Sequence, residues 1–428
     1  MNLKIRLAIL TFLEFAVWGS YLTSMGRYLG EIGMGADIGF FYSMQGVVSL
    51  FMPAIFGVIA DRWVQAQKML GLCHLVAGGF MVALAMYCSV NSEAGTNRYF
   101  IFTLYSLSVA FYMPTLALSN SVSFNALQQA GMDTVKNFPP IRIFGTIGFI
   151  IAMWFVDIMG YEANEMQFMT SGIIGLLMFA YAFTVPNCPV NKVNESRSMI
   201  DVFGLRAFTL FKRKEMALFF VFSMLLGVSL QITNGFANPF ISSFETIPEY
   251  ADTFGVQHTN ILISLSQISE TCCILLIPFF MKRFGIKNVM LIAMFAWVLR
   301  FGLFGLGDPG DGVWMFVLSM IVYGMAFDFF NISGAFFVDM NTEARHRSSA
   351  QGLFQLMTNG IGATLGTLAA QAVVNNYTHT ESFGDNSFIV GDWSICWLIF
   401  AGYSLVVAIA FALMFHPKNQ KAEVVEEK

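Results

Sequence analysis

The sequence predicts an all-α membrane protein with twelve transmembrane helices and both termini in the cytoplasm. The first observation is composition, since 56% of its 428 residues are hydrophobic and only 12% are charged. Soluble domains carry about 25% charged residues, so this chain has half the usual supply for a water-facing surface. The second observation is a series of apolar runs of membrane-spanning length, and the third is the uneven placement of Lys and Arg.

The apolar runs are each about 20 residues long, which is the length that an α-helix needs to cross a bilayer. Their predicted limits are 7–30, 37–60, 68–90, 98–120, 139–159, 166–186, 215–240, 258–281, 286–307, 312–337, 349–374 and 392–415. The N-terminal segment MNLKIRLAIL lacks a small-residue cleavage site after a short apolar core. It is therefore predicted to begin the first span and not to be a removable signal peptide.

The Lys and Arg residues set the predicted orientation, because cytoplasmic segments of membrane proteins are enriched in them. With a cytoplasmic N-terminus, all but four of the 23 fall on the cytoplasmic side. Arg27 and Arg98 fall on the outer side, while Arg142 and Arg300 fall within spans. This bias predicts that both termini are cytoplasmic.

A polar, basic insertion at 187–214 divides the spans into two sets of six. It contains the amphipathic stretch SMIDVFGLRAFTLFK, whose apolar residues are suited to lying along a membrane surface. The predicted organisation is an N-terminal half at 1–186, a cytoplasmic linker at 187–214, a C-terminal half at 215–415 and a cytoplasmic tail at 416–428.

The ionisable side chains that lie inside apolar runs include Arg142, Glu270 and Asp328. A charge at the bilayer centre costs about 2.5–3.5 kcal/mol on insertion scales, so such residues usually face a cavity and mark an ion or substrate pathway. We therefore expect a transporter. The six cysteines show no metal-binding spacing, and neither a cofactor nor a metal site is predicted. No nucleophile–base pair or phosphate loop supports the alternative of a membrane enzyme or sensor.

Polar and aromatic residues recur at helical spacing in five spans, which places them on shared helix faces. They are Arg142, Thr146 and Phe149 in the fifth span, Gln231 and Asn234 in the seventh, Gln267 and Glu270 in the eighth, Tyr323, Phe327, Asp328 and Asn331 in the tenth, and Glu14, Trp18 and Tyr21 in the first. One interpretation is that these groups only hydrogen-bond to neighbouring helices. The coincidence of several such faces instead predicts a shared cavity.

The chemistry of these faces limits the cargo. A phosphorylated substrate would require a cluster of Arg and Lys, which is missing. Amides offer paired donors and acceptors for hydroxyls or a base edge, and aromatic rings offer stacking surfaces. The residues therefore favour an uncharged, flat, polar solute, with a nucleoside first and a sugar second.

The loop after the second span reads Gly57-Val58-Ile59-Ala60-Asp61-Arg62. It resembles the first half of the GxxxD(R/K)xG(R/K) gating loop of the major facilitator superfamily, whereas Trp63-Val64-Gln65 departs from the second half. In this interpretation Gly57 allows close helix approach, and Asp61 pairs with Arg or with a helix N-terminus. The alternative is an ordinary charged turn. Two six-span halves around a basic linker also resemble this superfamily's fold, in which the halves rock about a midplane site.

Longer blocks are more specific, and they include NFPPIRIFGTIGFIIAMW, FSMLLGVSLQITN, SQISET, RFGIKNVM, WVLRFGLFGLGDP and LSMIVYGMAFDFFNISG. They resemble the nucleoside:proton symporter family of the major facilitator superfamily and are close to those of a member from enteric bacteria. The resemblance implies a monomeric, multi-pass bacterial inner-membrane protein that carries purine and pyrimidine nucleosides with protons and binds no nucleic acid polymer. It also implies a nucleoside site made of Arg142, Thr146, Phe149, Gln231, Asn234, Gln267, Glu270, Tyr323, Phe327 and Asp328.

Proton coupling is predicted to use Glu270 or Asp328, because carboxylates in a low-dielectric setting can exchange protons near neutral pH. Arg142 is the expected counter-charge, and the competing interpretation is a fixed salt bridge that never titrates. Glu14 is a further candidate, and it departs from the enteric family member, which has Gln at this place. A proton-coupled sugar symporter of the same fold is the alternative function.

Overall fold

The computed structural model describes residues 2–90, 97–188, 205–343 and 347–417, and α-helices make up most of them. Within these residues, eight helices are long and apolar enough to cross a membrane, and Met166–Ala182 is a shorter apolar helix. The predicted amphipathic stretch is described only from Leu205, as a 3₁₀-helix that ends at Lys212. The tail from 418 onward lies outside the described residues.

The described residues of the first half form eight α-helices. They are α1 (Leu3–Gly19), α2 (Met25–Glu31), α3 (Ile38–Ser49), α4 (Met52–Arg62), α5 (Ala66–Val90), α6 (Arg98–Gln129), α7 (Thr134–Ile158) and α8 (Met166–Ala182). The predicted runs 7–30 and 37–60 are each interrupted. The second interruption precedes Pro53, whose ring and missing N–H disfavour a continuous helix.

The second half begins with α9 (Lys214–Leu230) and α10 (Ile232–Ser243), which Gln231 separates. It continues with α11 (Phe254–Gln257), α12 (Thr259–Leu306), α13 (Val313–Met340), α14 (Arg347–Gln355), α15 (Ala363–Tyr377) and α16 (Trp393–Met414). A π-helix, Leu356–Gly362, joins α14 to α15. The 48 residues of α12 would extend about 72 Å if straight, more than twice the hydrocarbon thickness of a bilayer. Gly285 has φ 75° and ψ 167°, so the chain turns there, between the predicted runs 258–281 and 286–307.

The all-α prediction is incomplete, because a two-stranded antiparallel hairpin joins α15 to α16. Its strands are β1 (Thr378–Phe383) and β2 (Asn386–Gly391), connected through Gly384 with φ 64°. A two-residue Gly-Asp turn between segments rich in Thr, Ser and Phe is a recognisable hairpin signal. The hairpin covers part of the molecule's end, since the N–H of Ser387 donates to Glu31 Oε2 at 3.0 Å.

Close contact between α1 and α7 positions one wall of the interior. A side chain at Gly148 would overlap the backbone of Phe12, so glycine is required for this approach. At Gly57, by contrast, a side chain built on the backbone meets no atom of the described residues within 4 Å, so this arrangement shows no close helix approach there. The gating role of Gly57 stays a prediction. Asp61 and Arg62 end α4, and the predicted pairing of Asp61 lies outside what the structure describes.

Candidate functional site

A cavity of about 880 Å³ lies between helices of the two halves of the chain. Its walls include residues of α1, α3, α7, α10, α12, α13 and the π-helix. It extends to Phe208, in the 3₁₀-helix that leads into α9, and to Ser349 of α14. The cavity therefore extends towards the end of the molecule at which the linker joins the second half.

Most of the predicted binding residues meet in this cavity. Its lining includes Arg142, Thr146, Phe149, Gln231, Asn234, Gln267, Glu270, Tyr323 and Phe327. Asp328 does not line it and is 5% exposed, behind the wall that Phe327 forms. Asn331 is also outside the lining, and its side-chain amide donates to the carbonyl oxygen of Phe327 at 2.9 Å. Asn331 therefore fits the alternative interpretation, in which a polar group only forms hydrogen bonds within the helix bundle.

Arg142 enters the cavity beside an aromatic ring. Its guanidinium lies over the ring of Phe15, 4.0 Å from the centroid, and Gly145 provides the space for it. Its charge interacts with those of Glu270 and Glu14. Among the described residues, however, the ion pairs within 4.0 Å are formed elsewhere, so Arg142 and Glu270 do not make a direct salt bridge in this structure. The guanidinium is available to a bound solute.

The amides of the cavity are presented at a helix interruption. Gln231 ends α9 and precedes α10, and the amide of Asn234 donates to Gln231 Oε1 at 2.8 Å. Interrupted helices are tolerated inside membrane proteins where the freed backbone groups line a cavity. The side chains of Gln231 and Asn234 thus form one continuous donor–acceptor surface.

Two aromatic groups face the cavity from different halves. The rings of Tyr323 and Phe327 are stacked, with centroids 5.6 Å apart and an interplanar angle of 16°. On the other side, Trp18 meets Phe149 edge to face at 6.2 Å. A flat solute between them would find ring surfaces on both sides, which is the arrangement that stacking requires.

Arg300 supports this wall and was not among the predicted site residues. It is 2% exposed, donates to the carbonyl oxygen of Ser319 at 2.7 Å, and lies over the ring of Tyr323 at 4.6 Å from the centroid. Its presence within an apolar run was visible in the sequence. The sequence could not show whether Arg300 faces the cavity, because no polar residue at helical spacing shares its helix face.

The two candidate coupling carboxylates lie on neighbouring helices. Glu270 reaches the cavity from α12, whereas Asp328 is buried on α13. The two charges interact electrostatically, and Asp328 Oδ2 contacts no hydrogen-bonding group among the described residues. Buried carboxylates that lack partners are costly when ionised.

Comparison with known proteins decides the family, since the family model described as "Nucleoside H+ symporter" matches residues 1–420. The chain belongs to the nucleoside H+ symporter family. It is 47% identical to nucleoside permease NupG of Escherichia coli (strain K12), over 98% of this chain and 97% of the relative. It is 45% identical to the xanthosine permease of the same strain, over 97% of this chain and 96% of the relative.

A solved structure agrees with this assignment. The crystal structure of nucleoside transporter NupG matches with a TM-score of 0.86 and 46% identity, over 98% of this chain and 100% of that chain. The protein is therefore a membrane transporter of this symporter family and not an enzyme. The resemblance in the sequence blocks is confirmed.

Polar contacts join the two halves of the chain around the segment that connects α7 to α8. We define the closed end by Arg27, Glu162, Asn238, Glu245 and Asn260. Glu162 accepts hydrogen bonds from the Asn238 side chain at 2.8 Å and from the Asn260 backbone N–H at 3.1 Å. Arg27 donates to Glu245 Oε2 at 2.9 Å. These contacts all join the first half of the chain to the second.

Asp157 adds a second carboxylate beside the closed end. It lies 2.6 Å from Nδ1 of His258 and accepts from the backbone N–H of Ile261 at 3.1 Å. The N–H groups of Asn260 and Ile261 belong to the first turn of α12, which has no internal acceptors for them. Asp157 and Glu162 therefore cap the N-terminus of a helix in the other half of the symporter.

The three candidate residues of the first span have different surroundings in the structure. Trp18 lines the cavity, while Tyr21 is buried against Tyr105, edge to face at 6.1 Å. Glu14 is fully buried and turns away from the cavity, towards His74 and Thr115 of α5 and α6. It is therefore not a direct substrate ligand in this arrangement.

Proposed function

We propose that this protein imports nucleosides together with protons by alternating access to the cavity. The observation that carries the proposal is the combination of two aromatic surfaces with the amides of Gln231, Asn234 and Gln267 in one cavity. Rings provide about 1–3 kcal/mol of stacking per base, and amides match the donors and acceptors of a nucleoside. The names of the relatives, nucleoside permease and xanthosine permease, agree with this substrate class.

The proposed topology has twelve crossings, with both termini in the cytoplasm of a bacterium and the protein in its inner membrane. In this proposal α12 crosses twice by turning at Gly285, and each pair of helices within an interrupted run crosses once. The halves at 1–186 and 215–415 move relative to each other, with 187–214 as the cytoplasmic linker. The closed end then faces the outside, and the cavity opens towards the cytoplasm.

We assign the binding roles by the chemistry of each group. Arg142, Gln231, Asn234 and Gln267 donate or accept hydrogen bonds, and Thr146 and Glu270 complete the polar surface. The aromatic residues Phe149, Tyr323 and Phe327 pack on the base. Asp328 acts from behind the wall through its charge and not by contact.

The proposed coupling uses Glu270 or Asp328 as the proton carrier. A neutral nucleoside gains nothing from the membrane potential, so its accumulation needs a coupled ion. The carboxylate takes up a proton from the outside and releases it to the cytoplasm. After release, Arg142 is the counter-charge of the ionised carboxylate. The missing salt bridge between Arg142 and Glu270 favours this role over a fixed structural pair.

The binding proposal is tested by uptake into cells that lack nucleoside transporters. Adenosine and uridine should compete with labelled nucleoside, whereas competition by glucose alone would indicate the sugar symporter. Gln267→Ala and Asn234→Ala should each weaken nucleoside binding severalfold, because a truncated amide removes about 0.5–1.5 kcal/mol of hydrogen bonding or more. Asn331→Ala is the matched amide control outside the cavity. Unchanged affinity in both cavity variants would contradict the proposed site.

The coupling proposal is tested with Glu270→Gln and Asp328→Asn. A carrier carboxylate, once neutralised, should lose uphill uptake driven by a pH gradient, while exchange of nucleoside across the membrane continues. Asp311→Asn is a control on an exposed carboxylate. If both buried variants still accumulate nucleoside against its gradient, neither residue is the proton carrier.

A further inference from the structure

A carboxylate and an imidazole face each other in the interior of the first half, behind the cavity wall. His74 Nε2 lies 2.9 Å from Glu14 Oε2, and both side chains have no exposed surface. Thr115 Oγ1 lies 2.6 Å from the other oxygen, Glu14 Oε1. An isolated charge in such a setting is costly, whereas one proton shared between the two groups leaves the pair with no net charge.

We propose that Glu14 and His74 form a second proton-binding site, which holds one shared proton when filled and none when empty. The inference rests on the proposed proton symport, in which it adds a second group that can load and unload during the cycle. The proton arrives from water as hydronium and returns to water. Only O–H and N–H bonds therefore form and break.

Thr115 gives the Glu14 carboxyl group a hydrogen-bonding partner in more than one protonation state. Its Oγ1 also lies 2.5 Å from the carbonyl oxygen of Tyr112, and a hydroxyl has only one hydrogen to donate. When Glu14 is ionised, Thr115 donates to the carboxylate. When the pair is filled, the shared proton lies between Glu14 Oε2 and His74 Nε2, and Thr115 still donates to Glu14 Oε1. Neither state leaves the carboxyl group without a partner.

The second ring nitrogen of His74 distinguishes the two states. Nδ1 contacts no hydrogen-bonding group among the described residues, so no partner fixes its tautomer. In the empty pair, Nε2 carries the hydrogen that it donates to Glu14, and Nδ1 is bare. In the filled pair Nδ1 carries a hydrogen, whether the shared proton lies on Glu14 or on Nε2. Protonation of Nδ1 therefore reports occupancy.

The surroundings connect the site to the cavity. The titratable and charged groups that face Glu14 are His74 and Cys73 from α5, Tyr112 from α6 and Arg142 from α7. Loss of the shared proton leaves a net negative charge near Arg142, and this charge draws the guanidinium towards α1. We expect the filled site to leave Arg142 free for the nucleoside.

The experiment is nitrogen NMR of the purified full-length protein with ¹⁵N-labelled histidine, between pH 5 and pH 9. The His74 Nδ1 signal is assigned by its loss in His74→Gln. In the parent it should change from protonated to bare as pH rises. Glu14→Gln should abolish this change, because no carboxylate remains to share a proton. Thr115→Val should shift the midpoint upwards, because the ionised carboxylate loses a donor.

His379→Gln is the matched control, since His379 and Glu381 form an exposed pair at 3.5 Å and should not affect the His74 signal. A purely structural pair predicts one unchanged form of Nδ1 across the whole pH range, or equal behaviour of the parent and Glu14→Gln. Either result would overturn the inference. Adenosine uptake driven by a pH gradient is measured in parallel. It tests proton symport by itself, so that failure of the second site and failure of the proposed function give different results.

Discussion

Opening of the closed end should depend on one buried carboxylate more than on its exposed neighbour. Glu162 joins the two halves through the Asn238 amide and the Asn260 backbone N–H, and it is 6% exposed. Glu245 also joins the halves, through Arg27, but its side chain is 30% exposed. The variants Glu162→Ala and Glu245→Ala therefore compare a buried link with an exposed one at the same place.

The structure gives the expected size of each effect. Glu162→Ala removes two hydrogen bonds between the halves and strands the buried N–H of Asn260, and a stranded group costs about 1–3 kcal/mol. Asn238 keeps a second partner, Asn260 Oδ1 at 3.1 Å, which limits the loss. We expect a shift of about 2 kcal/mol, or roughly 30-fold in the ratio of outward-open to outward-closed molecules. Glu245→Ala should shift this ratio by less than about fivefold, because exposed ion pairs contribute about 0–1 kcal/mol.

The assay is labelling of Leu22→Cys by a membrane-impermeant thiol reagent added from outside. Leu22 lines the cavity and follows α1 on the way to the closed end. Cys272, the exposed native cysteine, is replaced by Ser in all variants compared. Labelling should accelerate strongly in Glu162→Ala and little in Glu245→Ala. Equal rates in the two variants, or a larger effect of Glu245→Ala, would refute this account of the closed end.

Two further predictions concern pH and packing. Burial raises the pKa of Glu162 to about 8, from 4.5 in water, although Arg27 opposes the shift. Between about pH 5 and pH 8, Glu162 therefore binds a proton when the end is closed and releases it when the end opens. Acidification should favour the closed end and slow the labelling of Leu22→Cys from outside. The substitution Glu162→Gln should remove this pH dependence of the labelling rate. Separately, Gly148→Ala should lower the thermal unfolding temperature, because its Cβ would overlap the backbone of α1 and overpacking costs about 1–3 kcal/mol. The control Gly79→Ala, where a side chain meets nothing within 4 Å, should leave that temperature nearly unchanged.

Helical spacing was enough to predict most of the side chains that meet in the cavity. Gln267 and Glu270 are three residues apart within α12, so they share a helix face whatever the helix packs against. Hydropathy could not show that Gln231 lies at an interruption between α9 and α10, because a break inside a bundle does not change the apolar character of the run. Hydropathy could not show the hairpin before α16 either, because its strands are too short to form an apolar run of membrane-spanning length.

The contacts of the closed end could not be predicted from the sequence. Glu162 and Asn238 are 76 residues apart, and Asp157 and Ile261 are 104 residues apart. Nothing in either segment specifies the partner, because a carboxylate can cap any helix N-terminus that comes near it. In the proposed alternating access, such contacts also belong to one arrangement of the halves, whereas the sequence encodes every arrangement that the cycle visits.

Glu14 shows where the reasoning from helix faces has its limit. On a continuous helix Glu14, Trp18 and Tyr21 would lie within a sector of about 60°, which is narrow enough to be read as one face, although α1 ends at Gly19. A helix inside a bundle is contacted on all sides, and the boundary between the cavity and the bundle interior passes through this sector. Trp18 falls on the cavity side, and Glu14 falls on the side of His74 and Thr115. The sequence could thus identify an unusual intramembrane carboxylate, but only the packing of α5 and α6 against α1 supplies the imidazole and hydroxyl that make it a candidate for carrying a proton.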